Sequence, residues 1–118
     1  MVFIMNELME LSVGLTVFEV GTGSGYHAAT IAEAVAPSNV DPKLWGHVYT
    51  VEIIPKLATR AYKNLLRAGY IDRVSVICGD ASKSFPVRIK ADRIVITAAS
   101  PRVPEWLCSY LREGGILI

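Results

Sequence analysis

Two hydrophobic patterns alternate along this chain. Compact apolar runs are typical of strands, whereas apolar residues that recur every three or four positions are typical of helices with one buried face. Strands are predicted at Thr16–Val20, His47–Val51, Val74–Ile77, Ala91–Thr97 and Ile116–Ile118. Helices are predicted at Met1–Leu11, Ser24–Ala36, Pro55–Ala68 and Pro104–Leu111.

Glycine and proline residues mark the ends of these elements. Gly14, Gly69 and Gly114 each follow a helical pattern and are expected to stop it, and Pro55 suits the first turn of a helix. The apolar triplet Ile94–Ile96 suits a strand that is buried on both faces. The sequence thus predicts an α/β fold with a Rossmann-like, doubly wound, mostly parallel sheet of about five strands and helices on both faces.

Length and composition predict one globular domain over residues 1–118, since 52% of the residues are hydrophobic and 19% are charged. No stretch approaches the roughly 20 apolar residues that a membrane span requires, so no membrane partner is expected. The segment Met1–Leu11 carries two glutamates and has neither a basic leader nor a cleavage site. It does not resemble a signal peptide, and a cytoplasmic location is expected.

Charge and reactive side chains exclude several functions. The net charge is +1 and the basic residues are dispersed in sequence, so no nucleic-acid partner is predicted. Cys78 and Cys108 form no C-x-x-C pair and are expected to be reduced and in or near the core. His27 and His47 have no partner at metal-ligand or triad spacing, so neither a metal nor a catalytic triad is predicted.

A glycine-rich turn follows the first predicted strand and opens a helix. Gly21, Gly23 and Gly25 have no Cβ, so they tolerate positive φ and let a ligand approach the backbone closely. Ligands of open α/β sheets bind beyond the carboxyl ends of the strands, which is where this turn is expected. Its G-T-G-S-G spacing differs from the dinucleotide fingerprint G-x-G-x-x-G.

Acidic residues stand near the ends of the first three predicted strands. Glu52 is placed to accept hydrogen bonds from ribose hydroxyls, or it is a solvated strand end. Asp80, after Gly79, is a ligand contact or a helix N-cap. Glu19 faces the ammonium group of a ligand or caps a backbone amide. Carboxylates around a turn without Lys or Arg favour a cationic nucleoside such as S-adenosylmethionine over a nicotinamide dinucleotide or ATP.

Several strings of residues, in the same order and spacing, closely resemble the protein-L-isoaspartate O-methyltransferase family. The resemblance extends over essentially the whole chain. It lies in Phe18–Ala29, Gly46–Glu52, Ala68–Val74, Gly79–Asp80, Ala91–Pro101 and Leu111–Gly115.

The resemblance implies an S-adenosylmethionine-dependent methyltransferase fold and a role for each matching site residue. Glu52 would bind the ribose, and Gly79 and Asp80 would lie by the adenine. The residues expected to line the methionine portion of the cofactor are Glu19, Gly21, Thr22, Gly23, Ser24 and Gly25. Those expected to border the transferred methyl group and the substrate are Thr97, Ala98 and Ala99.

The resemblance also implies the activity, which is methylation of the abnormal carboxylate of isoaspartyl or D-aspartyl residues in damaged proteins or peptides, as a first step of their repair. A carboxylate near its reference pKa is already ionised at neutral pH, so no general base is required and no catalytic residue is singled out. Catalysis is expected to rest on alignment of the two reactants and on exclusion of water.

The family also has parts that this chain lacks. It carries a Ser/Thr-containing substrate motif before the helix that Met1–Leu11 resembles and two further strands after Ile118, and Ala81 and Ser84 replace two of its usual glycines. We therefore expect a partial domain, truncated at both ends, that holds mainly the cofactor site. Two alternatives stay open: another class I methyltransferase acting on RNA or a small metabolite, and a non-catalytic module that forms a homo-oligomer through an exposed sheet edge.

Overall fold

The computed structural model describes residues 9–80, 88–96 and 105–118, without the side chains of residues 105–107. Its five strands are β1 (Thr16–Val20), β2 (His47–Glu52), β3 (Val74–Cys78), β4 (Ala91–Ile96) and β5 (Leu111–Leu117). The α-helices that lie entirely within the described residues are α1 (Tyr26–Val35) and α2 (Pro55–Ala68). Two 3-10 helices cover Pro42–Leu44 and Glu105–Tyr110.

The strands form one sheet in the order β3-β2-β1-β4-β5, and all four pairings are parallel. The chain proceeds from β1 through β2 to β3 in one direction and then returns to place β4 on the other side of β1. This reversal is the topological switch point, where open α/β sheets bind their ligands. The predicted doubly wound parallel sheet is confirmed.

Alternate side chains of each strand enter two separate cores. Val17 and Val48 pack beneath α1 and α2, whereas Phe18 and Val51 enter the core on the opposite face. Because side chains alternate along a strand, Glu19 continues the face of Val17 towards the carboxyl end. The apolar core under the two helices therefore gives way to polar groups where the strands end.

Helix α2 follows the local signals for its start and its end. Pro55 occupies the first helical turn, and Ala58, Ala61 and Leu65 are buried. Gly69 ends the helix with a φ of +86°, and its N–H bonds carbonyl groups of the last turn. The predicted bounds of this helix are confirmed.

The helix predicted at Pro104–Leu111 is confirmed as helical over Glu105–Tyr110, but its predicted end at Gly114 is wrong. Residues Glu105–Tyr110 form a 3-10 helix, and β5 begins directly at Leu111. Gly114 lies within β5, so it does not end a helix. The predicted strand Ile116–Ile118 corresponds to the second half of this longer strand.

Two glycines form a bulge in β5. Ala91 pairs with Leu111 and Arg93 pairs with Ile116, so the intervening residues of β5 loop out of the ladder. Gly114 has a φ of +79°, and a Cβ at Gly115 would lie 2.8 Å from the carbonyl oxygen of Asp92. Glycine is required here because the bulge bends the backbone against β4.

Three other expectations have different outcomes. Cys78 and Cys108 are both exposed, so the expectation of cysteines in or near the core is wrong. The predicted helix at Met1–Leu11 lies mostly outside the described residues. Within the described part of the chain, no helix is long and apolar enough to cross a membrane.

Candidate functional site

The glycine-rich turn lies at the carboxyl edge of the sheet, between β1 and α1. Gly21, Gly23 and Gly25 have φ values of +96°, +56° and +89°, all in the left-handed region that other residues rarely adopt. At Gly25 a Cβ would also lie 3.2 Å from both the Ala61 carbonyl oxygen and Leu65 Cγ of α2. The glycines therefore serve both the shape of the turn and its close packing on α2.

Neighbouring elements hold the turn in place. The N–H of Gly21 donates to the Val51 carbonyl oxygen over 2.9 Å, and the N–H of Gly25 donates to the Thr22 carbonyl oxygen over 3.1 Å. From α2, the amide Nδ2 of Asn64 donates to the Ser24 carbonyl oxygen over 3.0 Å. The turn is thus fixed from β2 on one side and from α2 on the other.

Glu52 organises the turn through its carboxylate, which is largely buried. Its Oε1 accepts from the backbone N–H groups of Thr22 and Gly23, at 3.2 and 3.4 Å, and its Oε2 accepts from the N–H of Ile54 at 3.2 Å. An ionised carboxylate has about four acceptor sites, so it retains capacity for a further donor. Binding of a ribose hydroxyl by Glu52 stays a prediction, and the structure adds that Glu52 shapes the turn.

Glu19 is fully buried and belongs to a polar chain beneath the turn. The hydroxyl of Thr50 donates to Glu19 Oε1 over 2.6 Å, and the two hydroxyl oxygens of Thr22 and Thr50 are 2.8 Å apart. Because the single hydroxyl proton of Thr50 goes to Glu19, the hydroxyl of Thr22 is the donor to Thr50. Through these two threonines, the Glu19 carboxylate supports the turn from below.

His27 contacts the second oxygen of Glu19. Its Nδ1 lies 3.0 Å from Oε2, and only 10% of the His27 side chain is exposed. The two atoms are within ion-pair distance, although Oε2 accepts no well-aligned hydrogen bond in the described part of the molecule. Glu19 thus points towards protein groups, and its contact with a ligand ammonium stays a prediction.

The loop after β3 completes this edge of the sheet. The N–H of Gly79 donates to the Glu52 carbonyl oxygen over 3.0 Å, which brings the loop beside the end of β2. Asp80 is exposed next to it. The structure therefore brings Gly79 and Asp80 to the same edge as the glycine-rich turn, whereas Thr97, Ala98 and Ala99 lie outside the described residues.

Sequence reasoning missed three members of this site: His27, Thr50 and Asn64. The parallel register pairs Glu19 with Thr50, so two polar residues lie side by side in otherwise apolar strands. That pairing is a signal that becomes visible once the order of the strands is known. No group of His, Cys, Asp or Glu that could hold a metal ion occurs among the residues the structure describes.

Comparison with protein families gives one match over the whole chain. The family model described as protein-L-isoaspartate(D-aspartate) O-methyltransferase matches residues 1–118. The protein-L-isoaspartate O-methyltransferase of Korarchaeum cryptofilum is 57% identical over all of this chain and 53% of its own length. That of Hyperthermus butylicus is 52% identical over all of this chain and 49% of its own length. The chain spans about half the length of the curated relatives it matches.

Solved structures agree with these relatives. A protein-L-isoaspartate O-methyltransferase superposes with a TM-score of 0.82 at 32% identity, over 98% of this chain and 34% of the other. A SAM-dependent O-methyltransferase from Thermotoga maritima also has a TM-score of 0.82, at 26% identity, over 97% of this chain and 40% of the other. The expected methyltransferase fold is confirmed.

Proposed function

We propose that this chain, which belongs to the protein-L-isoaspartate(D-aspartate) O-methyltransferase family, binds S-adenosylmethionine at the carboxyl edge of its sheet. It is the cofactor-binding part of an enzyme that methylates isoaspartyl or D-aspartyl residues in damaged proteins. Residues 1–118 are proposed to form one partial domain of that enzyme, in the cytoplasm.

One observation carries this proposal: a turn of three left-handed glycines is held open by a buried carboxylate at the end of the adjacent strand. The described residues of the turn and of the adjoining ends of β2 and β3 include Glu52 and Asp80 but neither Lys nor Arg. This charge attracts the sulfonium and ammonium groups of S-adenosylmethionine and repels the phosphates of a dinucleotide or ATP.

Within this proposal the cofactor extends along the carboxyl edge from β1 to β3. Its ribose takes the remaining acceptor capacity of Glu52, and its adenine lies by Gly79 and Asp80. Thr97, Ala98 and Ala99 are proposed to border the transferred methyl group. The methionine portion of the cofactor is proposed to lie against Glu19, Gly21, Thr22, Gly23, Ser24 and Gly25.

The proposed reaction requires little acid–base chemistry from the protein. When bound, the cofactor would supply an electrophilic methyl group on a sulfonium, for transfer to a substrate carboxylate oxygen with the carbon–sulfur electron pair left on sulfur. The task of the chain is to fix the cofactor so that the two reactants are aligned, which is worth roughly 7–11 kcal/mol. A turn held from β2 and α2 suits that task.

Calorimetric titration tests the cofactor proposal. We expect saturable heat with S-adenosylmethionine and none with ATP. The Glu52→Ala variant should bind about tenfold or more weakly, because it removes the acceptor of three backbone N–H groups. Glu113→Ala, which removes an exposed carboxylate in β5, is the matched control and should bind normally. Absence of heat at high S-adenosylmethionine concentration would overturn the proposal.

Transfer of a labelled methyl group tests the substrate. The chain should label a peptide that contains isoaspartate and leave the matched aspartyl peptide and an RNA transcript unlabelled. Label in RNA alone would favour a different class I methyltransferase. Cofactor binding without label in any of the three would overturn the proposed activity for this chain and leave the cofactor site in place.

Association through a sheet edge is the alternative of a different class. In the described sheet, β5 forms one edge, and its bulge contains the exposed residues Arg112 and Glu113. Bulges and charges of this kind discourage pairing of edge strands, so this edge argues against the alternative. Light scattering at high concentration should therefore find a monomer, and a stable dimer would favour the assembly module.

A further inference from the structure

Helix α2 gathers four cations on its outward face. Lys56, Arg60, Lys63 and Arg67 are exposed and lie on the side of the helix opposite Ala58, Ala61 and Leu65. Together with Thr59 and Asn64 they line a shallow depression of about 430 Å³. We call these four residues the α2 basic face. These cations are three or four residues apart in the sequence, so they appear dispersed until the helix places them on one face.

The α2 basic face has no anionic partner within the described part of the chain. None of its four side chains makes an ion pair with a described residue, and α2 itself contains no Asp or Glu. Lys56–Arg60 and Lys63–Arg67 are like-charge pairs four residues apart, which destabilise a helix. Lys56 also stands in the first turn, where the helix dipole disfavours a cation. An anionic ligand would relieve all of these repulsions.

The rest of the molecule has the opposite charge. Outside the α2 basic face, the chain contains eight basic and eleven acidic residues. A long polyanion such as a nucleic acid would contact this acidic remainder as well as the helix and would be repelled by it. The attraction is therefore local and suits a short acidic segment.

Exposed apolar side chains border the α2 basic face. Tyr62 and Leu66, one turn apart on α2, are 46% and 53% exposed. Protein partners combine contacts to tyrosine and aliphatic groups with a charged rim, whereas nucleic-acid backbones are bound mainly through charge. The exposed Tyr62 and Leu66 side chains therefore favour a polypeptide over a nucleic acid as the ligand of this face.

The spacing of the cations fits an extended chain. From Lys56 to Arg67 the helix rises about 16 Å, with about 4.5–6 Å between successive cations. Alternate side chains of an extended polypeptide lie on one side about 7 Å apart. We propose that the α2 basic face is a docking surface for an acidic polypeptide segment of a partner protein, outside the cofactor site.

Fluorescence anisotropy with a fluorescein-labelled oligoglutamate peptide tests this surface at low ionic strength. The wild-type chain should bind oligoglutamate and leave an oligoglutamine peptide unbound. The variant Arg60→Glu/Lys63→Glu/Arg67→Glu should weaken binding about tenfold or more. The control Lys43→Glu/Arg88→Glu/Lys90→Glu changes three exposed cations elsewhere by the same total charge and should bind normally.

The design separates this surface from net charge, from misfolding and from the cofactor site. Equal loss in both triple variants, or no binding by the wild type, would overturn the proposal. Tighter binding of an oligothymidylate through the same three cations would overturn it in favour of a nucleic acid. The neutral variant Arg60→Gln/Lys63→Gln/Arg67→Gln should also lose binding of oligoglutamate. Its circular dichroism spectrum should match that of the wild type, which would exclude misfolding as the cause. Each variant should bind S-adenosylmethionine with the same affinity as the wild type. If neither the wild type nor any variant binds S-adenosylmethionine, only the proposed cofactor would be refuted.

Discussion

The carboxyl edge and the amino edge of the sheet each bury a charged side chain but surround it with different groups. At the carboxyl edge, the carboxylate of Glu52 accepts from backbone N–H groups of a glycine-rich turn and of Ile54. At the amino edge, Arg73 just before β3 donates from Nη1 to the Ala36 carbonyl oxygen and to Glu33 Oε2, each at 3.1 Å. Its guanidinium also lies between aromatic rings, 4.3 Å from that of Trp45 and 4.8 Å from that of Tyr70.

The groups that surround Arg73 and Glu52 suggest different roles for the two edges, one in stability and the other in binding. The partners of Arg73 are bulky side chains and a helix-end carbonyl group that close around one cation. The partners of Glu52 are backbone N–H groups at the carboxyl ends of the strands, where ligands of such sheets bind. The amino edge therefore stabilises the fold, while the carboxyl edge holds the polar groups of the proposed cofactor site.

Arg73→Met breaks the amino edge and should have the largest effect. It removes a nearly buried cation together with its hydrogen bonds and two cation–π contacts, so we expect about 3 kcal/mol less unfolding free energy in denaturant titrations. Affinity for S-adenosylmethionine should not change under folding conditions. The exposed residue Arg67 provides the control, since Arg67→Met should stay within about 0.5 kcal/mol of the wild type. A loss below about 1 kcal/mol in Arg73→Met would contradict this account.

His27→Leu perturbs the carboxyl edge and should have a smaller effect on stability, of about 1–2 kcal/mol, because it leaves one oxygen of a buried carboxylate without its partner. The variant should also bind S-adenosylmethionine about tenfold more weakly than the wild type. Methylthioadenosine, which lacks the amino-acid portion, should bind as before, since Glu19 and the turn that it supports are proposed to hold that portion. His27→Gln, which keeps a donor, should recover part of the affinity. Equal weakening of both ligands would indicate general damage to the fold.

Acidification should lower the unfolding free energy in two steps that both arise at the amino edge. The first step, just below neutral pH, should be the smaller one. Burial lowers the pKa of His47 below its ordinary value of 6.5, against a smaller opposing influence of Asp72. The folded state thus favours the neutral ring, and its stabilisation is lost as pH falls below about 6.5. A backbone hydrogen bond from Ser38 lowers the pKa of Glu33 below 4.5, so its contribution is lost at lower pH still.

Unfolding free energy measured against pH checks this order. Replacing His47 by Gln should flatten the decline that begins below about pH 6.5 and leave the later decline, due to Glu33, in place. A decline that stays unchanged in His47→Gln would assign the first step to another group. Stability that rises on acidification through this range would contradict the sign of the shift.

The extent to which sequence predicts this molecule differs between its elements. The bounds of α2 were predictable because Pro55 and Gly69 act within one helical turn of themselves. The 3-10 helix and the bulge of β5 were not, because Gly114 suits a helix end and a bulge equally well. The same holds for Cys78, whose exposure depends on what covers the end of β3.

The candidate site divides in the same way. Its glycines and its carboxylates at strand ends were visible in the sequence, since their positions follow from local pattern. The partners of Glu19 were not, because Thr50 and His27 approach it from β2 and α1. A contact between separate elements has no local signal.

By itself, the sequence determined the alternation of strands and helices, the glycine-rich turn and the family, since each is written in residues close together along the chain. Only the tertiary structure decided that the Glu19 carboxylate points into the protein, that Arg73 is enclosed by aromatic rings, and that α2 is basic on one whole face. These features depend on which segments pack together. That choice is made by burial of the two cores and by strand register, and it acts on the whole chain at once.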